Sequence, residues 1–188
     1  MKKIQKLSTT LSIAASVLLQ ACSAPETAAT LPAEANTKAP ELNASWKSTC
    51  IATSSGSTST TTQASGGGGG SGGVSGGSGF ITQAIFNANG SAVLTTEYFA
   101  TSNCNANTSI GTDQFNTNYF IGNASQANDG SPVTDIEYKT INSTTYSIFQ
   151  VVNNVSLYLG SSDSSTTGHD GSSESNRLDG LGIELDKQ

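Results

Sequence analysis

Apolar and polar residues alternate along several stretches of this chain beyond residue 44. Residues 135–140 run Asp-Ile-Glu-Tyr-Lys-Thr, and residues 181–186 run Leu-Gly-Ile-Glu-Leu-Asp. Residues 115–121 show the same period, and residues 46–53 place Trp46 and Cys50 on one side. A period of two is typical of β-strands with one buried and one wet face. No window beyond residue 21 has a convincing helical period, so the pattern predicts strands only.

Turn-forming residue pairs separate neighbouring β-rich runs. Asn89-Gly90 lies between the runs 80–87 and 92–100, and Asn153-Asn154 lies between 146–152 and 155–159. Both pairs tolerate the positive φ angles of tight hairpin turns. Together the runs amount to about eight short strands. We therefore predict an all-β fold, a small antiparallel barrel or sandwich.

Composition divides the chain beyond residue 21 into two parts. Residues 22–43 are rich in Ala, Thr, Glu and Pro and predict a disordered tether. Residues 44–188 form the β-domain, which contains an insertion of nearly pure Ser, Thr and Gly at residues 54–79. The glycine run 66–70 lacks the GxxxxGK motif and has no lysine nearby, so it predicts a flexible loop rather than a phosphate-binding one.

The first 21 residues have the organisation of an export signal. Lys2, Lys3 and Lys6 precede a short apolar stretch at residues 11–19, and the small residue Ala21 follows. A bilayer-spanning helix needs roughly 20 apolar residues, so this stretch is too short to cross a membrane. Residues 1–21 are therefore predicted to be a signal peptide.

A lipid-attachment motif ends this signal. The sequence Leu19-Gln20-Ala21-Cys22 resembles the lipobox of bacterial lipoproteins, in which an apolar, a variable and a small residue precede an acylated cysteine. The resemblance implies that Cys22 carries acyl chains and becomes the mature N-terminus. Ser23, where Asp would imply retention at the inner membrane, implies sorting to the outer membrane. The expected location is the bacterial cell envelope, with the membrane as partner through Cys22.

The cysteine count fits that interpretation. The chain has three cysteines, an odd number that leaves a free thiol in most exported proteins. Lipidation of Cys22 leaves Cys50 and Cys104 as a pair, for which a disulfide is expected in an oxidising compartment. Zinc ligation is the alternative, but there is no CxxC spacing and no histidine near either cysteine.

Charge excludes one class of partner. The chain has 8 basic and 14 acidic residues, and loss of the three signal lysines leaves 5 basic residues and a net charge of −9. Nucleic-acid binding requires clustered Lys and Arg, which this chain lacks. No polybasic segment flanks Cys22 as a second membrane signal.

The β-domain also resembles the small lipocalin-like domains of bacterial lipoproteins. Those domains begin with a tryptophan-bearing strand and have an arginine shortly before the last strand, positions that Trp46 and Arg177 match. A disulfide between Cys50 and Cys104 would be similar to one found in such domains. The Gly-x-Trp of the first strand is absent, because Ala44 and Ser45 precede Trp46. The resemblance implies a barrel able to enclose a small apolar ligand.

Candidate catalytic and metal-binding residues are few. The single histidine, His169, lies in the polar stretch 161–176, without the GxSxG turn of hydrolases. Asp163, Asp170 and Glu174 in this stretch do not have the spacing of a calcium loop. We therefore predict no enzyme activity, no cofactor and no metal.

Two further carboxylates and the aromatic residues leave the ligand question open. Glu97 and Glu137 face outward on predicted strands, which disfavours a glycosidase pair. Seven aromatic residues line a ligand pocket or form a filled core, the usual interior of a small barrel. They are Phe80, Phe86, Tyr98, Phe115, Tyr119, Tyr138 and Tyr146.

Two functions follow from these expectations. The first is a non-enzymatic envelope lipoprotein with a structural or interaction role toward an envelope protein or a glycan. The alternative is a lipocalin-like binder of a small apolar ligand, and a hydrolase comes third.

Overall fold

The strands form one continuous antiparallel sheet. A computed structural model describes residue 31 and residues 33–53, 77–161 and 168–188. Within these ranges the strands are β1 (Ser45–Lys47), β2 (Ile51–Ala52), β3 (Gly79–Phe86), β4 (Ser91–Phe99), β5 (Ser109–Gln126), β6 (Pro132–Lys139), β7 (Thr144–Val152), β8 (Ser156–Ser161) and β9 (Gly180–Lys187). Short 3-10 turns lie at Pro40–Leu42, Ala106–Thr108 and Glu174–Asn176. Cys22, the signal peptide, Asp163 and residues 54–76 of the insertion lie outside the described residues.

The sheet closes into an eight-stranded barrel. From β3 to β9 each strand pairs with the next, and β1 pairs with both β9 and β3. The ninth strand, β2, continues the direction of β1 and pairs with the first residues of β3. The all-β prediction and the barrel are therefore confirmed, and the sandwich is excluded because both edges of the sheet meet at β1.

The predicted hairpins form at the predicted turn pairs. Gly90 has φ +85°, and Asn153 and Asn154 have φ +53° and +57°. At Asn153-Asn154 two successive positive φ angles match the right-handed twist of the flanking strands, whereas in the other turn Gly90 alone is positive. Local sequence therefore determines these two connections.

The predicted strand at residues 46–53 is interrupted. Trp46 is fully buried in β1, as expected, but residues 48–50 leave the ladder before β2 begins at Ile51. Ser48 still contacts Thr82: its N–H donates to the Thr82 carbonyl oxygen at 2.9 Å, and its hydroxyl accepts from the Thr82 amide at 3.0 Å. Ala52, expected inward, is exposed. The predicted insertion also ends earlier than residue 79, because Gly79 already belongs to β3.

The tether predicted for residues 22–43 is packed in its last part. Leu42 is fully buried and Ala39 is nearly so, and both belong to the barrel core. The Leu42 carbonyl accepts a hydrogen bond from the Trp46 indole N–H at 3.0 Å. The Asn36 side chain hydrogen-bonds to the main chain of Ala39, and the Asn36 main-chain N–H donates to the Ala88 carbonyl oxygen. The packed domain therefore begins near residue 36 rather than 44, because Leu42 supplies an apolar side chain that covers the barrel end.

Candidate functional site

The barrel interior is filled next to the N-terminal segment. Large side chains from most strands are almost fully buried there: Trp46, Phe86, Tyr119, Ile136, Tyr138, Phe149, Leu157 and Leu185. Phe86 and Tyr119 meet edge to face, with ring centroids 5.2 Å apart. This half of the barrel is a packed core, as in most small barrels.

Five of the seven aromatic residues proposed from the sequence contribute to the interior, whereas Tyr98 is half-buried with its hydroxyl on Asp113 and Tyr146 faces outward. Phe80, Phe86, Tyr119 and Tyr138 are buried, and Phe115 is half-buried against the core. Tyr146 lies on the outer face of β7, and Phe149 takes the inward position instead. Both faces of β7 carry large apolar residues, so alternation alone could not assign its inward side.

The Tyr119 and Tyr138 hydroxyl groups differ sharply in their surroundings. The Tyr119 hydroxyl lies 2.8 Å from both the Asn43 side-chain oxygen and the Asn87 carbonyl oxygen. The Tyr138 hydroxyl is buried and has no hydrogen-bond partner among the described residues. Burial raises the pKa of Tyr138, and the nearby Tyr119 raises it further. A buried hydroxyl without a partner is uncommon in proteins and calls for a physical explanation.

The predicted disulfide is present. Cys50 and Cys104 are bonded, with their Cα atoms 5.7 Å apart and 54 residues of separation along the chain. The bond joins the chain just before β2 to the connection between β4 and β5. Gly79 passes beside it, where a Cβ atom would lie 2.8 Å from the Thr101 carbonyl oxygen. The disulfide therefore secures the barrel end from which the insertion leaves.

At this same end, β5 has an unpaired edge. It pairs with β4 from Ser109 to Asn118 and with β6 only from Asn118 to Gln126. Its second edge over residues 109–116 consequently has no strand partner in the described parts of the chain. We call this stretch the free β5 edge. An unpaired edge offers main-chain donors and acceptors to a further strand.

Polar and aromatic side chains lie beside the free β5 edge. The Tyr98 hydroxyl donates a hydrogen bond to the Asp113 carboxylate at 3.1 Å. Glu97 on β4 is the register partner of Thr112. Glu137, the other predicted outward carboxylate, lies two strands away and pairs with Lys139 at 2.8 Å. The structure therefore does not bring Glu97 and Glu137 together as a catalytic pair.

His169 is held by its neighbours. Its Nδ1 lies 2.9 Å from the Arg177 carbonyl oxygen and 3.4 Å from the Asp179 carboxylate. The His169 side chain is 34% exposed, and these contacts help to hold residues 168–179 on the barrel. Hydrogen bonds from Ser172 lower the pKa of Asp170, which belongs to a turn. No group of three His, Cys, Asp or Glu side chains in the described ranges could hold a metal ion.

Arg177 lies on the outer surface of the barrel. Its guanidinium donates to the carbonyl oxygens of Ile136 and Ser147, at 3.2 and 2.9 Å, and lies over the Tyr146 ring. The cation over Trp46 is instead Lys187, 5.5 Å from the ring centroid. Arg177 thus fastens the β8–β9 connection to β6 and β7.

No protein-family model, curated protein or solved structure matches this chain significantly. Within the described residues, no helix is long and apolar enough to cross a bilayer. Function is therefore inferred from three structural features: the free β5 edge, the packed interior, and the Tyr138 hydroxyl, which no described residue bonds.

Proposed function

We propose that this chain is a bacterial envelope lipoprotein, anchored to the outer membrane through Cys22, whose barrel is a non-enzymatic interaction domain. The free β5 edge carries this proposal. A packed interior supports a role for the outer surface, and an unpaired strand edge is a common docking point for an extended peptide. The motif Leu19-Gln20-Ala21-Cys22 supports the anchor.

The partner expected at the free β5 edge is an extended segment of an envelope protein. Asp113 lies on the free edge and Glu97 lies on the neighbouring strand β4, and carboxylates near an edge disfavour pairing of two identical copies. The same charges favour a segment that carries Lys or Arg. Main-chain hydrogen bonds would supply affinity, and the Tyr98 and Asp113 side chains would supply selectivity.

Site-specific photo-crosslinking in cells tests this proposal. A photoreactive amino acid at Thr112 on the free β5 edge should form an adduct with an envelope protein. The same group at Asp186 is the matched control, because Asp186 is exposed on β9 and pairs there with both β1 and β8. Asp113→Lys should reduce the adduct at position 112. Equal adducts at both positions, or none at position 112, would contradict the docking role.

Membrane fractionation tests the anchor separately. Cys22→Ser should move the protein from the membrane fraction to the soluble fraction without unfolding the barrel, because every core residue of the described chain follows it in sequence. A Cys22→Ser protein that still fractionates with membranes would refute lipid anchoring.

The lipocalin-like binder is the second candidate, favoured by the Tyr138 hydroxyl alone. A ligand with a hydrogen-bonding group would satisfy this hydroxyl inside the barrel. Native mass spectrometry of the Cys22→Ser chain should then show a bound small molecule that Tyr138→Phe loses. A mass equal to that of the bare chain would leave the interaction domain as the single candidate.

A further inference from the structure

The N-terminal segment crosses the outer face of β5 before it reaches the barrel end. The Asn118 side chain donates a hydrogen bond to the Leu31 carbonyl oxygen. The Lys38 ammonium donates to the Ile121 carbonyl oxygen at 3.0 Å. These two hydrogen bonds place Leu31 and Lys38 against the middle of β5. The chain therefore departs toward Cys22 from the outer face of β5.

The length of the remaining chain limits how far this face can lie from Cys22. Eight residues separate Cys22 from Leu31. A fully extended chain spans at most about 3.6 Å per residue, so the two residues lie within about 32 Å of each other. This reach is comparable to the diameter of a small domain. An acylated Cys22 would consequently hold the outer face of β5 nearer the lipid than the opposite side of the barrel.

The surface around the departure point has exposed apolar side chains. Leu31 and Ile141 are two of the four large hydrophobic residues that are exposed in the described ranges, at 39% and 54%. Lys139 is the register partner of Asn118, which binds Leu31. The Lys139 ammonium lies 4.6 Å from the centroid of the Phe120 ring. We call Leu31, Lys38, Phe120, Lys139 and Ile141 the outer β5–β6 surface.

Two of the five basic residues that follow Cys22 belong to this surface, although the mature chain is strongly acidic. Lys139 also pairs with Glu137 at 2.8 Å, which offsets part of its charge. Lysine side chains beside exposed apolar residues are typical of surfaces at a membrane interface, where the ammonium reaches the headgroups.

We propose that the outer β5–β6 surface lies against the bilayer that holds Cys22. The proposal rests on the lipid anchoring proposed above. Leu31 and Ile141 enter the interface, and Lys38 contacts anionic headgroups. The free β5 edge at residues 109–116 precedes Asn118 along the strand and is not part of this surface.

Depth-dependent fluorescence quenching tests the orientation. The full acylated chain is reconstituted in vesicles of phosphatidylethanolamine and phosphatidylglycerol with brominated acyl chains, which quench tryptophan on contact. Ile141→Trp adds a probe to the outer β5–β6 surface. Val155→Trp is the matched control, because Val155 is 56% exposed in the turn between β7 and β8, where its carbonyl oxygen accepts a hydrogen bond from the Lys187 amide of β9, four strands around the ring from β5. The wild-type emission of Trp46 is subtracted from both.

The expected result is that the probe at position 141 is quenched several-fold more strongly than the probe at position 155. Equal quenching, or stronger quenching at position 155, would overturn the orientation if both variants float with the vesicles. Failure of the wild-type protein and of both variants to float would refute the anchor itself, and with it the orientation. Far-ultraviolet circular dichroism verifies that both variants keep the β-fold.

Discussion

Removal of the Tyr138 hydroxyl is expected to stabilise this protein. Tyr138 is 1% exposed, and its hydroxyl has no hydrogen-bond partner within the described chain. A buried donor that stays unsatisfied costs about 1–3 kcal/mol. Tyr138→Phe deletes this group and keeps the aromatic ring, so the packing of the core is preserved. The free energy of unfolding should rise by about 1–2 kcal/mol.

Tyr119→Phe is the matched control, with the opposite expected sign. Tyr119 is equally buried, at 1% exposure, but its hydroxyl lies 2.8 Å from two acceptors, on Asn43 and Asn87. Loss of a satisfied hydrogen bond in a protein core costs about 1 kcal/mol. The same chemical change should therefore stabilise the protein at one position and destabilise it at the other.

Urea unfolding monitored by Trp46 fluorescence measures both effects. The Cys22→Ser background avoids the acyl chains, and oxidising conditions keep the disulfide. With an m-value of about 2 kcal/mol/M, the unfolding midpoint of Tyr138→Phe should rise by about 0.5–1 M. A midpoint that falls as far as that of Tyr119→Phe would refute the reasoning, because it would mean that water or a ligand satisfies the Tyr138 hydroxyl.

Three further predictions concern the N-terminal segment, the disulfide and the buried tyrosines. Gly90→Ala should destabilise the protein more than Gly130→Ala in urea unfolding: both have φ near +85°, but only at Gly90 would a Cβ meet the main chain of Glu34. Equal effects would contradict packing of that segment. Replacement of both bridging cysteines by serine should lower the free energy of unfolding by about 4 kcal/mol, because the bond closes a long loop, and a loss under about 1 kcal/mol would contradict this. Burial raises the pKa of both tyrosines, so their contribution to stability is complete below pH 10 and is lost above it. Above pH 10 the free energy of unfolding of Tyr138→Phe should fall less steeply with pH than that of the wild type, by up to about 1.4 kcal/mol per pH unit. An unchanged slope would argue against a raised pKa for Tyr138.

Local sequence patterns predicted the elements whose structure depends on near neighbours. Hairpins form at Asn89-Gly90 and at Asn153-Asn154 because glycine and asparagine tolerate the positive φ angles that Gly90, Asn153 and Asn154 adopt. Strict alternation predicted β6 and β9 because each has a clearly apolar face. For β7, both Ile148 and Phe149 are buried, on opposite faces, and the pattern could not identify the inward side.

The candidate site depended on contacts between distant residues. The expected strand at residues 115–121 is in fact the 18-residue strand β5, and its free edge arises because β6 pairs with only its second half. The polar composition of residues 22–43 predicted a tether, and a single apolar residue, Leu42, was too weak a signal to predict packing. A match between one side chain and the end of a barrel exists only after the barrel has closed.

The sequence by itself determined the class of the described part of this protein: strands without α-helices, tight turns and two cysteines that pair. It also predicts an export signal at residues 1–21, which stays a prediction. These properties depend on residue chemistry and on spacing over a few positions. Tertiary structure decided that the sheet closes through β1, and that the Cys50–Cys104 disulfide secures one end while Leu42 covers the other. It also buried the Tyr138 hydroxyl where no described residue bonds to it. It also decided which edge of β5 remains open. These outcomes depend on the register and curvature of the whole sheet, to which every strand contributes.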